Sequence, residues 1–209
     1  MNAVWYFDFI SPFAYLQLPR VRALAEQFSI APRPVLLAAI LKHHGQLGPA
    51  EIPSKRIFTY RMVQWHAEQA GMQLRFPPAH PFNPISALRL AIAAGSDWSA
   101  ISEVFDHVWK EGSAADSAEA LESVARRIGI ADVEAATGST EMKNRLRTNT
   151  DEALAWGVFG VPTLRVGEQL YWGNDATPMA EAALADPHRF LQGEYARLAD
   201  LPSAASRLP

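Results

Sequence analysis

The alternation of apolar and polar residues at the start of the chain predicts a strand, a helix and a second strand. Residues 3–9 alternate and are rich in aromatic side chains, as a strand would be. From Pro12 the apolar residues recur at helical spacing as far as residue 28, and Ser11 stands in the position of an N-cap. Pro19 predicts a kink in this helix. Residues 31–37 predict the second strand, so the order is that of a βαβ unit with a parallel sheet.

The middle of the chain has the pattern of a helical segment. Residues 42–54 contain Gly and Pro and indicate a loop, and residues 75–84 hold four prolines and exclude regular structure. Periodic apolar residues bounded by polar caps and glycines predict five helices. These helices are expected at residues 55–70, 83–94, 97–110, 117–128 and 140–155.

The pattern returns to β-type after Trp156. Strands are predicted at residues 163–166 and 169–172, joined by a turn at Gly167-Glu168, and a helix follows from an Asn/Asp cap. We therefore expect an α/β fold with a βαβ–ββα sheet domain at residues 1–40 and 156–200. An inserted all-helical domain would occupy residues 41–155.

Composition excludes several classes of protein. The 209 residues are 49% hydrophobic and 20% charged with a net charge of −3, so no bulk attraction to nucleic acid or anionic membrane is expected. No apolar run approaches the roughly 20 residues of a transmembrane helix. Residues 1–11 lack a basic region and carry Asp8 within the apolar run, which argues against a signal peptide. We expect a soluble cytoplasmic protein.

The chain has no cysteine, and this absence constrains its chemistry. Disulfides, thiolate metal sites and thiol redox chemistry by its own side chains are excluded. The six histidines do not have the spacing of a metal site, so no metal is predicted. Neither of the glycine-rich phosphate motifs occurs, so nucleotide cofactors are not supported.

Two short stretches have both a structural and a chemical interpretation. Ser11 either caps the first helix or presents a hydroxyl to an anion at the helix N-terminus. It is not the nucleophile of a hydrolase, because no G-x-S-x-G motif surrounds it. Val161-Pro162 is either an ordinary trans bond before a strand or a cis bond that leaves the Val161 backbone free to pair with an extended ligand.

Polar and charged residues in two further stretches also have two interpretations each. Asn174 or Asp175 either caps the last predicted helix or supplies a carboxylate for a ligand ammonium. Lys55 is either a solvated surface charge or a partner for a ligand carboxylate.

Taken together, four stretches resemble the 2-hydroxychromene-2-carboxylate isomerase family, which is related to the kappa-class glutathione transferases and to DsbA. They are FDFISPFAYL, PSK, WGVFGVPTL and YWGNDA, and FDHVWKEGSAADS and ARRIGI within the helical segment are similar too. The resemblance covers about residues 3–195. It implies a thioredoxin-like βαβ–ββα domain interrupted by helices, glutathione as the cofactor, and a homodimer.

The resemblance also implies roles for individual residues. Ser11 matches a serine that hydrogen-bonds the glutathione sulfur. Val161 matches the residue before a cis proline, Pro162, and its backbone would pair with the cysteinyl part of the tripeptide. Asp175, with Asn174 beside it, matches the acidic position that holds the γ-glutamyl group.

Lys55 and Gln46 complete the implied glutathione site, and Gln46 and Gln64 depart from the family pattern. Lys55 matches a lysine that faces the glycyl carboxylate. Gln46 stands where the family usually has asparagine, so an amide contact to glutathione is less well supported there. Gln64 replaces a commonly acidic residue, which is compatible with a different electrophile.

The implied activity is the interconversion of 2-hydroxychromene-2-carboxylate and trans-o-hydroxybenzylidenepyruvate by reversible thiolate addition, in the catabolism of naphthalene-type hydrocarbons. A kappa-type transferase that consumes glutathione is the nearest alternative. A non-catalytic thioredoxin-like binding module is another, whereas a disulfide oxidoreductase is at odds with the absence of cysteine. Trp65 and four aromatic residues near the N-terminus are either apolar walls for a small aromatic carboxylate or core. Those four are Trp5, Phe7, Phe9 and Phe13.

Overall fold

The described part of the protein, residues 2–203 of a computed structural model, contains one mixed four-stranded sheet. Its order is β2–β1–β3–β4, with β2 parallel to β1, β3 antiparallel to β1 and β4 antiparallel to β3. The strands are β1 (Ala3–Phe7), β2 (Ile30–Pro34), β3 (Thr163–Val166) and β4 (Gln169–Trp172). This is the βαβ–ββα arrangement that the sequence predicts.

Helices cover the sheet and fill the segment between β2 and β3. A π-helical turn, Asp106–Lys110, directly follows α5, and a short 3₁₀ turn, Pro49–Glu51, precedes α3. The helices are α1 (Pro12–Ala25), α2 (Leu37–His43), α3 (Pro53–Gln69), α4 (Ile85–Ala93), α5 (Trp98–Phe105), α6 (Ala118–Arg127), α7 (Val133–Gly138), α8 (Thr140–Ala155), α9 (Thr177–Ala185) and α10 (Gly193–Ala199). Within residues 2–203 no helix is both long and apolar enough to cross a membrane.

The principal differences from the sequence prediction concern short helices. The pattern did not predict α2, α7 or α10, which have seven, six and seven residues. Helices this short show too few turns for an apolar period to emerge. Pro19 lies inside α1, which nevertheless continues to Ala25.

A single aromatic cluster joins the sheet to the helical segment. The Trp5 and Phe7 rings stack with centroids 4.5 Å apart, and Trp5 also stacks on Trp98 of α5 at 5.5 Å. Phe105 lies 5.6 Å from Phe7 and 4.6 Å from Phe9. The sheet and the inserted helices therefore share one hydrophobic core, and the division of the chain at residues 40 and 156 stays a prediction.

Candidate functional site

Ser11 lies at the corner between β1 and α1 and caps the helix. It has extended backbone angles (φ −91°, ψ 111°), and its Oγ accepts the Ala14 N–H at 3.3 Å. The side chain is buried, and its hydroxyl hydrogen has no acceptor among residues 2–203. Pro12 has no N–H, and the Phe13 N–H makes no bond within the same range. The corner thus offers two donors, the Ser11 hydroxyl and the Phe13 amide, to an anion.

Asp8 connects this corner to the start of α2 through two hydrogen bonds. Its Oδ1 accepts the Ile10 N–H at 3.0 Å and its Oδ2 accepts the Leu37 N–H at 2.9 Å. The carboxyl is fully buried, and burial raises its pKa to about 7, against the effect of these two hydrogen bonds. Asp8 is therefore a structural bridge whose protonation changes close to neutral pH.

Val161 and Pro162 precede β3 and are joined by a cis peptide bond. The carbonyl of Pro162 accepts the Gly173 N–H at 2.9 Å, whereas neither the N–H nor the C=O of Val161 is bonded to any part of the described chain. A Cβ at Gly160 would lie 2.6 Å from Trp172 Nε1, so a larger residue here would require the Trp172 side chain to move. The unpaired Val161 backbone has the two groups that an extended peptide needs.

The segment between β4 and α9 contains Asp175 and is joined to Pro162 through the Gly173 N–H. The N-cap of α9 is Ala176 and no side chain caps the helix, so the interpretation of Asn174 or Asp175 as its cap is wrong. Instead the Thr177 hydroxyl donates to the Asn174 carbonyl at 2.6 Å. Asp175 is exposed, and its carboxylate accepts no hydrogen bond from the described residues. Gly173 has φ +95°, and a Cβ there would collide with Asp175 Oδ1.

Gln17 connects three parts of this region, and the sequence did not indicate it. Its Oε1 accepts the Trp5 indole N–H at 2.6 Å. Its Nε2 donates to the Gly173 carbonyl at 3.0 Å and to Thr177 Oγ1 at 2.9 Å. A buried amide with every polar group paired fixes its surroundings. Gln17 therefore holds β1, α1 and the Gly173–Asp175 segment in one arrangement.

Gln46 lies on the segment that joins α2 to α3, and Lys55 lies at the start of α3. Lys55 is exposed in the first turn of α3, where the N-cap residue Ile52 makes no side-chain cap. Its ammonium has no ion-pair partner among residues 2–203, so it adds to the positive end of the helix dipole. Gln46 is exposed too, and its side chain bonds to none of these residues. The His44 Nε2–H donates to the Val158 carbonyl at 3.1 Å and attaches this segment to the loop before Val161.

The aromatic residues separate into core and surface. Trp5, Phe7 and Phe9 are fully buried, so they are core and not walls of a pocket. Two aromatic residues that the sequence did not single out, Phe159 and Trp172, are partly exposed and in edge contact at 5.3 Å. They flank Gly160 and Gly173, so the exposed aromatic surface lies next to the Val161 backbone.

Comparison with known proteins assigns this architecture to a family. The family model described as a DSBA-like thioredoxin domain matches residues 4–185. The chain belongs to the DSBA-like thioredoxin family.

Relatives within the DSBA-like family include isomerases and glutathione transferases. The chain is 31% identical over 187 residues to a 2-hydroxychromene-2-carboxylate isomerase of Pseudomonas putida, covering 86% of this chain and 92% of that protein. It is 26% identical to glutathione S-transferase kappa 2 of Caenorhabditis elegans, covering 88% and 92%. A solved structure of a 2-hydroxychromene-2-carboxylate isomerase superposes with a TM-score of 0.77 at 28% identity, covering 97% and 100%.

These relatives confirm the predicted thioredoxin-like fold and classify the protein as an enzyme of the isomerase type. In this DSBA-like chain the corner between β1 and α1 carries Ser11 and no cysteine. Within the described range, no group of three His, Asp or Glu residues is placed to hold a metal ion. The corner presents the Ser11 hydroxyl and the Phe13 amide N–H, which are donors suited to an anion.

Proposed function

We propose that the protein is a glutathione-dependent isomerase that interconverts 2-hydroxychromene-2-carboxylate and trans-o-hydroxybenzylidenepyruvate. The observation that supports this most is the corner at Ser11. In a chain without cysteine, the Ser11 hydroxyl hydrogen and the Phe13 N–H at the start of α1 have no partner among residues 2–203. Such a corner suits a thiolate that is bound from solution rather than one that the chain supplies.

The unpaired groups around the corner fit a small zwitterionic peptide. The N–H and C=O of Val161 would pair with the cysteinyl residue of glutathione, as an added strand does. The Asp175 carboxylate and the Asn174 side chain would hold the γ-glutamyl group through its ammonium and carboxylate. Lys55 would face the glycyl carboxylate, with Gln46 as a further amide partner.

Activation of the thiol follows from the electrostatics of the α1 N-terminus. A free thiol has a pKa of about 8.5, so only a small fraction is ionised at neutral pH. The Ser11 hydroxyl and the Phe13 amide would donate to the sulfur, and the helix dipole favours negative charge there. Each of these interactions stabilises the thiolate over the thiol and lowers the thiol pKa.

Bound glutathione would supply the nucleophilic sulfur, whose reversible addition makes a substrate double bond free to rotate. The chain's task is to keep this sulfur ionised and oriented, and the thiol is recovered at the end without net oxidation. The exposed Phe159 and Trp172 rings would contact the aromatic ring of the substrate. We place the reaction in the catabolism of naphthalene-type aromatic hydrocarbons and in the cytoplasm, where the glutathione pool is kept reduced.

A kappa-type glutathione transferase is the second candidate. It is favoured by the kappa-class relative, which matches over 88% of this chain. Both activities use the same thiol site, so the site geometry does not separate them. The fate of glutathione does, because a transferase consumes it in a stable adduct and an isomerase returns it.

The test is turnover of 2-hydroxychromene-2-carboxylate with and without glutathione, followed by product absorbance and by chromatography of the thiol. We expect product to form only with glutathione and the glutathione concentration to stay constant. Equal turnover without glutathione would contradict the proposal, and stoichiometric loss of the thiol would favour the transferase. Failure to bind glutathione in calorimetry would favour a non-catalytic binding module.

We also propose that the protein is a homodimer. The support is an apolar face on α3, where Ile57, Phe58 and Trp65 are each more than half exposed. Phe58, Arg61 and Trp65 are spaced to share one side of this helix. An exposed surface of this kind marks an interaction site more often than a solvated face.

A further inference from the structure

The two peptide groups before Ser11 are each held at both ends by hydrogen bonds. In the first group, the Phe9 carbonyl accepts the Trp109 indole N–H at 2.8 Å and the Ile10 N–H donates to Asp8 Oδ1 at 3.0 Å. In the second, the Ile10 carbonyl lies 2.9 Å from His80 Nε2 and the Ser11 N–H donates to the Asp8 carbonyl at 3.0 Å. The orientation of Ser11 is therefore set from outside α1.

The bond to Ile10 determines the tautomer of His80. A carbonyl oxygen only accepts, so His80 Nε2 carries a hydrogen and donates to Ile10. The other ring nitrogen, Nδ1, lies 2.8 Å from the Tyr60 hydroxyl, which also lies 2.7 Å from the His80 carbonyl and donates to it. Burial lowers the His80 pKa, which favours the neutral ring. Tyr60 thus contacts both the ring and the backbone of His80.

The surroundings of His80 restrict its ring. The imidazole makes edge contacts with Tyr60 and Trp109 at centroid distances of 5.3 and 5.4 Å, and with Phe76 at 6.1 Å. These residues belong to the helical segment, and the bond to Ile10 spans 70 positions of sequence. The restricted His80 ring therefore holds the Ile10 carbonyl, and with it the loop before Ser11, in place.

We propose that His80 is a positioning residue for the thiol site: its hydrogen bond to the Ile10 carbonyl fixes the peptide before Ser11, and so aims the Ser11 hydroxyl and the Phe13 amide at one point. Productive geometry in a site of this kind is held to within about half an ångström by neighbouring groups. The consequence for a bound thiolate rests on the proposed function, whereas the fixing of the corner does not.

A matched pair of variants separates positioning from packing. His80→Leu occupies the space of the imidazole ring but has no N–H to donate to the Ile10 carbonyl. His80→Gln retains an amide N–H of similar reach. Tyr60→Phe removes the hydroxyl that contacts His80 Nδ1 and the His80 carbonyl, and leaves the aromatic ring of residue 60 in place. Far-ultraviolet circular dichroism and thermal unfolding of each variant report whether it folds.

The first measurement uses the protein without glutathione. Hydrogen exchange should show the Ile10 and Ser11 amides exchanging about tenfold faster in His80→Leu and close to the wild-type rate in His80→Gln. The amide of Ile92, buried in α4, should exchange at the same rate in all variants. Unchanged exchange at Ile10 and Ser11 in His80→Leu would overturn the positioning role.

The second measurement is the thiol pKa of bound glutathione, read from thiolate absorbance in a pH titration. We expect it to rise by roughly half a unit to one unit in His80→Leu, with a smaller rise in Tyr60→Phe and recovery in His80→Gln. Faster amide exchange in His80→Leu with an unchanged thiol pKa would show that His80 has only a structural role. That result would overturn the inference for the thiol site. Wild-type protein that does not bind glutathione would contradict the proposed function, while the exchange result would still decide whether His80 fixes the corner.

Discussion

At the scale of single residues, Ser11 combines two uses of one hydroxyl. Its oxygen accepts the Ala14 N–H and completes the cap of α1, while its hydrogen has no acceptor within residues 2–203 and would be available to the proposed ligand. A cap needs only the lone pairs of the oxygen, so the structural and the chemical interpretation of Ser11 are compatible. A second serine that only caps a helix is needed to separate the effect of losing the cap from the effect of losing the donor.

Ser117 provides that control, because its Oγ caps α6 by accepting the Ala120 N–H at 3.1 Å. We expect Ser11→Ala and Ser117→Ala each to lower the free energy of unfolding by about 1 kcal/mol, measured with urea. Only Ser11→Ala should shift the pH–rate profile toward higher pH, since it alone removes a donor from the thiolate. Superimposable profiles for wild type and Ser11→Ala would refute the sulfur-binding role.

Asp8 should make the free energy of unfolding depend on pH. Burial raises the pKa of its carboxyl from 3.8 to about 7. Between these values the folded protein retains a proton that the unfolded chain releases, so this contribution to stability is complete at low pH and is lost as the pH rises toward 7. We expect wild type to lose roughly 2 to 3 kcal/mol of stability from this group between about pH 5 and pH 7.5.

The control for this dependence is Asp8→Asn, which does not titrate. Its absolute stability will be lower, because its amide group places a donor against one of the two N–H groups that the carboxylate accepts. The informative quantity is the slope of the unfolding free energy with pH, compared between the two proteins. Burial of His80 lowers its pKa and gives a slope of opposite sign, but that slope is common to both. Equal slopes would show that Asp8 is ionised throughout.

At the scale of elements, the sequence predicted the features that interactions between neighbouring residues determine. The four strands, the Ser11 cap and the turn at Gly167 follow from patterns within about ten residues, and all are present. Gln17 and His80 were missed because their partners lie 156 and 70 positions away. A polar residue within a helical pattern predicts exposure, and only the tertiary fold shows that Gln17 is buried and fully bonded.

The error at Asp175 has the same origin. An Asn/Asp pair before a helical pattern is typical of an N-cap, but the cap is Ala176 and the Asn174 carbonyl receives the Thr177 hydroxyl. The structure thereby leaves the Asp175 carboxylate unpaired within the described chain. The family resemblance pointed to a ligand-binding role for this residue, which local capping statistics would have hidden.

At the scale of the whole molecule, the helical segment contributes directly to the site on the sheet domain. Its residues Trp109 and His80 bond to the loop before Ser11, and Phe105 and Trp98 complete the core under β1. A separate helical domain that only covered the sheet would not require such bonds. The same segment also presents α3, whose apolar face is unpartnered within the described chain.

The proposed homodimer predicts a defined response to charge on α3. Phe58 is 66% and Trp65 55% exposed, and burying two such rings against a second copy would place them at the centre of an interface. We expect sedimentation equilibrium to show a wild-type dimer, and Trp65→Glu to weaken it by about 100-fold or more, because the variant replaces a buried ring with a carboxylate that must be desolvated. Leu198→Glu on α10, where leucine is 49% exposed, is the matched control and should leave the dimer intact. A monomeric wild type would refute the homodimer, and equal weakening by Leu198→Glu would refute the assignment of the interface to α3.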